Sequence, residues 1–128
     1  MSVKFIRSFG TGATITVEDI ILNTNNTTRT YTMTSDGILY GYVYANAYQT
    51  DNGIEHDFGQ LILKADIYNS SGVKLYPIVD TSGKGKYQTA TFAYNLSKGD
   101  YIQVYTYEGG INTPATINGG FKGCAILY

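Results

Sequence analysis

One histidine, one cysteine and ten acidic residues are the groups from which this 128-residue chain would have to build catalysis or a metal site. His56 stands in Asp51-Asn52-Gly53-Ile54-Glu55-His56-Asp57, where Asp51, Glu55 and Asp57 offer oxygens of the kind calcium takes. The spacing is not that of an EF-hand, and the same residues make up any solvated loop, so the stretch reads as a surface loop without a metal. Zinc would find one imidazole and one thiol, half of a tetrahedral set. Cys124 as a nucleophile would need an exposed thiolate and a base beside it. It lies instead in the apolar run FKGCAILY and reads as a small buried hydrophobe. The carboxylate pair of a glycoside hydrolase is defined by distance in space, and among ten acidic residues chance pairs are expected. Gly83-Lys84-Gly85-Lys86 and Gly109-Gly110 lack the strand–loop–helix setting of a phosphate loop. The expectation is a protein with no catalytic set, no cofactor and no metal, hence not an enzyme.

The surplus feature is aromatic. Thirteen tyrosines and no tryptophan suit strands and interfaces. Nine basic against ten acidic residues leave no electrostatic footprint for nucleic acid or an anionic membrane. No apolar run approaches the roughly 20 residues of a membrane helix. The opening MSVKFIRSFG has no apolar signal region, and a single cysteine excludes an internal disulfide framework. The Asn-x-Ser/Thr sites at Asn25, Asn26, Asn69 and Asn95 are most simply coincidence in so Asn- and Thr-rich a chain.

The elements that must position these residues all read as strands, in one domain of residues 1–128. Residues 3–7 and 13–17 are short strands around Gly10-Thr11-Gly12, 20–22 is a further apolar patch, and 23–28 is a polar loop. Residues 30–33 run into the turn signal Ser35-Asp36-Gly37, which predicts a hairpin with 38–47. There Tyr40, Tyr42 and Tyr44 alternate with Leu39, Val43, Ala45 and Ala47. Residues 48–59 read as a long surface loop. In 60–68, Leu61, Leu63, Ala65 and Ile67 point inward and Gln60, Lys64 and Asp66 toward water. Asn69-Ser70-Ser71-Gly72 turns into 73–79, where Pro77 argues for an edge or a strand end. Residues 82–86 form a flexible tip, and 87–96 set Ala90, Phe92, Tyr94 and Leu96 on one side. Lys98-Gly99-Asp100 is turn chemistry, with Gly99 free for positive φ and Asp100 able to bond a nearby backbone N–H. Beyond it Ile102 and Val104 oppose Tyr101, Gln103, Tyr105 and Tyr107. After a loop at 109–119, Phe121, Gly123, Ala125 and Leu127 oppose Lys122, Cys124, Ile126 and Tyr128. Short strands with regular turn signals and no helical period predict an all-β antiparallel β-sandwich with jelly-roll topology.

Three stretches carry a family likeness. SDGILYGYVYANA resembles the central strand of the jelly-roll trimers typified by tumour necrosis factor and the complement globular heads. FAYNLSKGDYIQV is similar to their strand, turn and Gly-Asp-led strand, and GGFKGCAILY to their closing strand. The tyrosine-rich, Asn/Thr/Gly-looped character also looks like head domains of bacteriophage tail fibres and receptor-binding proteins. The resemblance implies a homotrimer packed around an axis through one sheet. Its interface would hold Tyr40, Tyr42, Tyr44, Gln103, Tyr105, Phe121, Ala125 and Leu127, with Ile102, Val104, Cys124 and Ile126 filling the sandwich. It further implies a virion or extracellular adhesion protein that takes a cell-surface saccharide or protein as its receptor, with no nucleic-acid or membrane partner. The ligand-binding residues are left undefined. The alternative is a monomeric carbohydrate-binding module of a secreted bacterial protein, and an enzyme is the third reading.

Overall fold

A computed structural model of the chain describes residues 2–9, 13–51, 54–56, 60–83, 87–109 and 116–128, with side chains in 15–46, 61–82, 87–108 and 118–128. Among the described residues ten strands follow in order. They are β1 (Ser2–Phe9), β2 (Ala13–Asn23), β3 (Thr28–Thr32), β4 (Gly37–Asp51) and β5 (Ile54–His56). The second half holds β6 (Gln60–Tyr68), β7 (Lys74–Gly83), β8 (Tyr87–Leu96), β9 (Tyr101–Gly109) and β10 (Thr116–Leu127). They form two antiparallel sheets. The first has the order β1-β2-β10-β4, with the far edge of β4 paired to β8 over residues 37–46 and to β5 over 49–51. The second has the order β3-β9-β6-β7. The protein is an all-β antiparallel sandwich.

Alternation dictates the core. Leu39, Val43 and Ala45 of β4 and Phe121, Ala125 and Leu127 of β10 meet Leu61, Leu63, Ala65 and Ile67 of β6 and Ile102 and Val104 of β9. Phe92 lies 5.4 Å from Phe121, ring centre to ring centre, and Tyr76 of β7 stacks on Tyr94 of β8 at 4.3 Å, clasping one flank of the two sheets. At the heart of the first sheet Gly41 and Gly123 are directly paired across β4 and β10. A Cβ on Gly123 would strike the Tyr40 carbonyl and come within 2.8 Å of the Phe121 ring; one on Gly41 would strike the Lys122 carbonyl. The missing side chains let two backbones close up beneath a phenylalanine.

The two ends of the sandwich are closed by turn chemistry. At one, Asn25 and Asn26 take left-handed backbone conformations, and their side-chain oxygens accept from the N–H groups of Gly119 (3.1 Å) and Glu108 (2.9 Å). Thr24 and Thr106 share a buried 2.6 Å hydrogen bond beside them. At the other, Gly99 has φ 92° and the Asp100 carboxylate accepts from the Ser97 N–H at 2.8 Å, as the Lys98-Gly99-Asp100 signature predicts. The Asn69 carboxamide likewise accepts from the N–H groups of Ser71 and Val73 in the predicted turn before β7, which is an edge strand, one of the two placements expected from Pro77.

Several expectations are corrected. Residues 13–17 and 20–22 belong to one strand, β2. Ser35-Asp36-Gly37 is no hairpin: β3 and β4 lie in different sheets, because Met33 N–H is taken by the Asp100 carbonyl and Tyr128 N–H by that of Asp36. Of the expected 48–59 loop, 48–51 continue β4 and 54–56 form β5, which pairs back on it, while 52–53 and 57–59 lie outside the described residues. In the segment 82–86, Ser82 and Gly83 continue β7, and the remainder lies outside the described residues. Residues 110–115 of the last loop also lie outside them, while 116–119 already form part of β10.

A polar pair bridges the sheets near β2 and β3. Glu18, 5% exposed, faces Tyr31, and burial, reinforced by the Glu18 charge, pushes the tyrosine pKa up to about 12. A raised pKa means that the neutral phenol is favoured by folding. The associated stability is complete below about pH 10 and is lost as pH rises toward 12. Urea midpoints should therefore fall more steeply across that window for the parent than for Tyr31→Phe; parallel curves would contradict the assignment. Gly123→Ala should destabilise by about 1–3 kcal/mol or more, as overpacking against backbone does. An unchanged melting temperature would show that the two strands can separate without loss.

Candidate functional site

Two surfaces collect the residues that chemistry or assembly would use. The first is the outer face of the first sheet. Tyr40 and Tyr42 keep 37% of their surface exposed and Tyr44 is half-buried. Their register partners on β10 are Cys124, Lys122 and Gly120; on β8 they are Ala93, Thr91 and Thr89. Tyr42 and Tyr44 rings lie 5.7 Å apart, and Lys122 Nζ sits 5.4 Å above the Tyr44 ring, a cation–π contact. Ile21, 40% exposed, extends the patch onto β2, where Asp19 accepts from the Cys124 thiol at 3.1 Å. Burial, with Asp19 adding to it, pushes the Cys124 thiol up despite an opposing contact from Tyr40. The sulfur is thus a poor nucleophile, a thiol at the edge of an aromatic field rather than an activated one.

The structure splits the predicted interface set. Tyr40, Tyr42 and Tyr44 do share this face. Phe121, Ala125 and Leu127 do not: they are buried inside the sandwich, at 0%, 0% and 6% exposure. Cys124 and Ile126, expected inside, are half-buried on the outer side. Strand β10 is apolar on both faces, so alternation alone did not fix which side turns in, and choosing wrongly exchanges every side chain at once. The signal was Lys122, which shares a side with Cys124 and Ile126 and has no place in a sandwich interior. Gln103 and Tyr105 are separated from the tyrosines altogether, because β9 belongs to the second sheet. Ile102 and Val104 fill the core as expected.

The second surface lies on the outer face of that second sheet. Thr28 of β3, Gln103 and Tyr105 of β9, and Lys64, Asp66 and Tyr68 of β6 line an open pocket of about 220 Å³. Register explains the grouping: Lys64 pairs with Tyr105, Asp66 with Gln103, and Thr28 with Tyr105 from the other side. Tyr68 is held upright by stacking on Tyr101, ring centres 5.3 Å apart and planes 22° from parallel. Asp66 is the exception to the expected watery face. It is only 4% exposed, covered by its neighbours, and Lys74 Nζ lies 3.3 Å from its Oδ1. Nothing in the spacing of Lys64, Asp66 and Tyr68 announced a pocket, since its other half comes from strands distant in sequence.

The Asp51–His56 stretch supplies backbone to the β4–β5 hairpin; its side chains, and Asp57 entirely, lie outside those described. Among the described residues no three of His, Cys, Asp and Glu cluster as metal ligands would. No family model matches the chain, and no curated protein aligns with it significantly.

Proposed function

We propose that this chain is a non-enzymatic jelly-roll head that assembles as a homotrimer through the outer face of its first sheet. On this reading it acts outside the cell, on a virion or as a secreted protein, and adheres to a bacterial surface saccharide or protein. The observation that carries the reading is the aromatic face of Tyr40, Tyr42 and Tyr44 in the middle of a sheet ordered β1-β2-β10-β4-β8. The order supports the jelly-roll assignment: after the β1–β2 and β6–β7 hairpins and the short β5 return, each link crosses from one sheet to the other, so strands distant in sequence become neighbours.

Energetics supports association. A large aromatic buries on the order of 150–250 Å² when fully covered. With about a third of its surface still exposed, each of Tyr40 and Tyr42 has on the order of 1–2 kcal/mol left to gain at about 25 cal/mol per Å². Ile21 adds to this, and threefold repetition brings the sum into the range of the roughly 4–15 kcal/mol that association costs. Among the described side chains of that face, Lys122 already contacts the Tyr44 ring and Asp19 the Cys124 thiol, which offsets part of the cost of desolvating them.

The monomeric binding module draws on a different observation, the pocket of the second sheet, which needs no partner copy. Light scattering separates the two readings. The parent should have three times the chain mass at micromolar concentration. Tyr42→Ala should raise the dissociation midpoint by about tenfold, the equivalent of about 1.4 kcal/mol. Lys64→Ala, on the opposite sheet, should leave it unchanged. A monomeric parent, or a Tyr42→Ala trimer of equal stability, would refute the assembly.

A further inference from the structure

We propose that the pocket on the outer face of the second sheet binds one neutral sugar ring, with Asp66 as the acceptor for its hydroxyls and tyrosine rings as its walls. This deepens the adhesion reading by naming the ligand class and the residues, and it rests on that reading only for its biological setting.

The first argument is the placement of Asp66. It belongs to the outward series of β6, yet it is almost completely covered while lining an open depression. Its cationic partner, Lys74, is itself about half exposed. Covering a carboxylate is costly, and a pair of this kind adds little net stability to a sheet. An uncharged strand residue would serve the fold equally well. What the carboxylate offers at that position is a fixed acceptor at the floor of a depression, with Oδ1 turned to Lys74.

The second argument is the company it keeps. Gln103, paired with Asp66 across β6 and β9, brings an amide that both donates and accepts. Tyr105 and Tyr68 stand on either side along the strands, and Tyr68 is fixed by its stack on Tyr101. Aromatic faces next to a carboxylate and an amide match a pyranose, which has apolar C–H faces and an edge of vicinal hydroxyls. A volume of about 220 Å³ is below the roughly 300–1,000 Å³ of sites that engulf drug-sized ligands, so one ring is the natural occupant.

The third argument is charge. Lys64 and Lys74 on this face are balanced by Asp66 and by Asp80, the register partner of Lys64. An anionic ligand would meet Asp66 and a cationic ligand the two lysines, which leaves a neutral polyol as the best electrostatic fit. Most glycoside hydrolases flank the scissile bond with two carboxyl groups. Asp66 is the one carboxylate among the residues that line the pocket, which suits holding a sugar better than cleaving it. It also lies on the sheet opposite the tyrosine face, and three copies in a trimer would each present it, gaining avidity from simultaneous contacts.

The test is a titration of the full chain with free neutral hexoses and N-acetylhexosamines, and with sialic acid and glucosamine as charged controls. Amide resonances would be followed for the parent, Asp66→Asn and Tyr105→Ala. In parallel, retention of all three proteins on bacterial envelopes would be measured. The expected result is millimolar binding of a neutral sugar that moves resonances of residues 64–68 and 103–105. Asp66→Asn should keep the fold and the oligomeric state and weaken binding by about tenfold, as loss of a charged acceptor does; Tyr105→Ala should weaken it as well. Envelope retention that is equal for parent and Asp66→Asn, with no neutral sugar moving those resonances, overturns the pocket and leaves adhesion standing. Sugar binding at the pocket without envelope retention supports the pocket and overturns adhesion. Stronger binding of either charged control than of every neutral sugar overturns the proposed ligand class.

Discussion

The close approach of β4 and β10 at Gly41 and Gly123 is the contact on which the rest of the sandwich depends. Because neither residue carries a Cβ, the backbones meet and the rings of Phe121 and Phe92 fill the inner space above them. A glycine pair covered by an aromatic is a local void filled from the neighbouring position along the strand. That arrangement commits Phe121, and with it Ala125 and Leu127, to the interior. By the two-residue period of a strand, Lys122, Cys124 and Ile126 must then face outward, beside Tyr40 and Tyr42. One packing decision at the centre of the first sheet therefore sets the composition of its outer surface.

The outer surfaces of the two sheets differ in kind as a result. The first carries Tyr40, Tyr42 and Tyr44 with Ile21 beside them, and among its described side chains Lys122 contacts a ring and Asp19 a thiol. The second is organised around a covered carboxylate between stacked and unstacked tyrosines. On the proposed reading, the associating face and the recognition face lie on opposite sheets, so assembly would leave the binding site open. Asn25 and Asn26, bonded to Gly119 of β10 and Glu108 of β9, tie the two sheets together at one end, and Asp100 closes the turn before β9 at the other.

Much of this architecture was legible in the chain, and the parts that were not share a cause. Strands β6 and β8 declare their buried faces because Leu61, Leu63, Ala65 and Ile67, or Ala90, Phe92, Tyr94 and Leu96, alternate with mostly polar neighbours, Ile62 and Ala93 being the exceptions. The turn at Gly99 and Asp100 is local chemistry and is equally plain. Strand β10 offers apolar residues to both sides, so its orientation depends on a partner strand some eighty residues earlier. Ser35-Asp36-Gly37 has the residues of a hairpin but serves a crossing between sheets, which only the bonds from Met33 and Tyr128 determine. The pocket is the least local feature of all. Asp66 resembles any exposed strand carboxylate until β9 brings Gln103 and Tyr105 alongside it.

The most direct measurement of the central claim, that the tyrosine face is covered by other copies of the chain, is the alkylation rate of Cys124 as a function of protein concentration. The thiol lies among Tyr40, Asp19 and Ile126 on that face, and burial pushes its pKa up. Assembly predicts a further suppression at high concentration that is relieved on dilution, with the relief shifted to about tenfold higher concentration in Tyr42→Ala. A rate that is independent of concentration and identical in the two proteins would contradict the account.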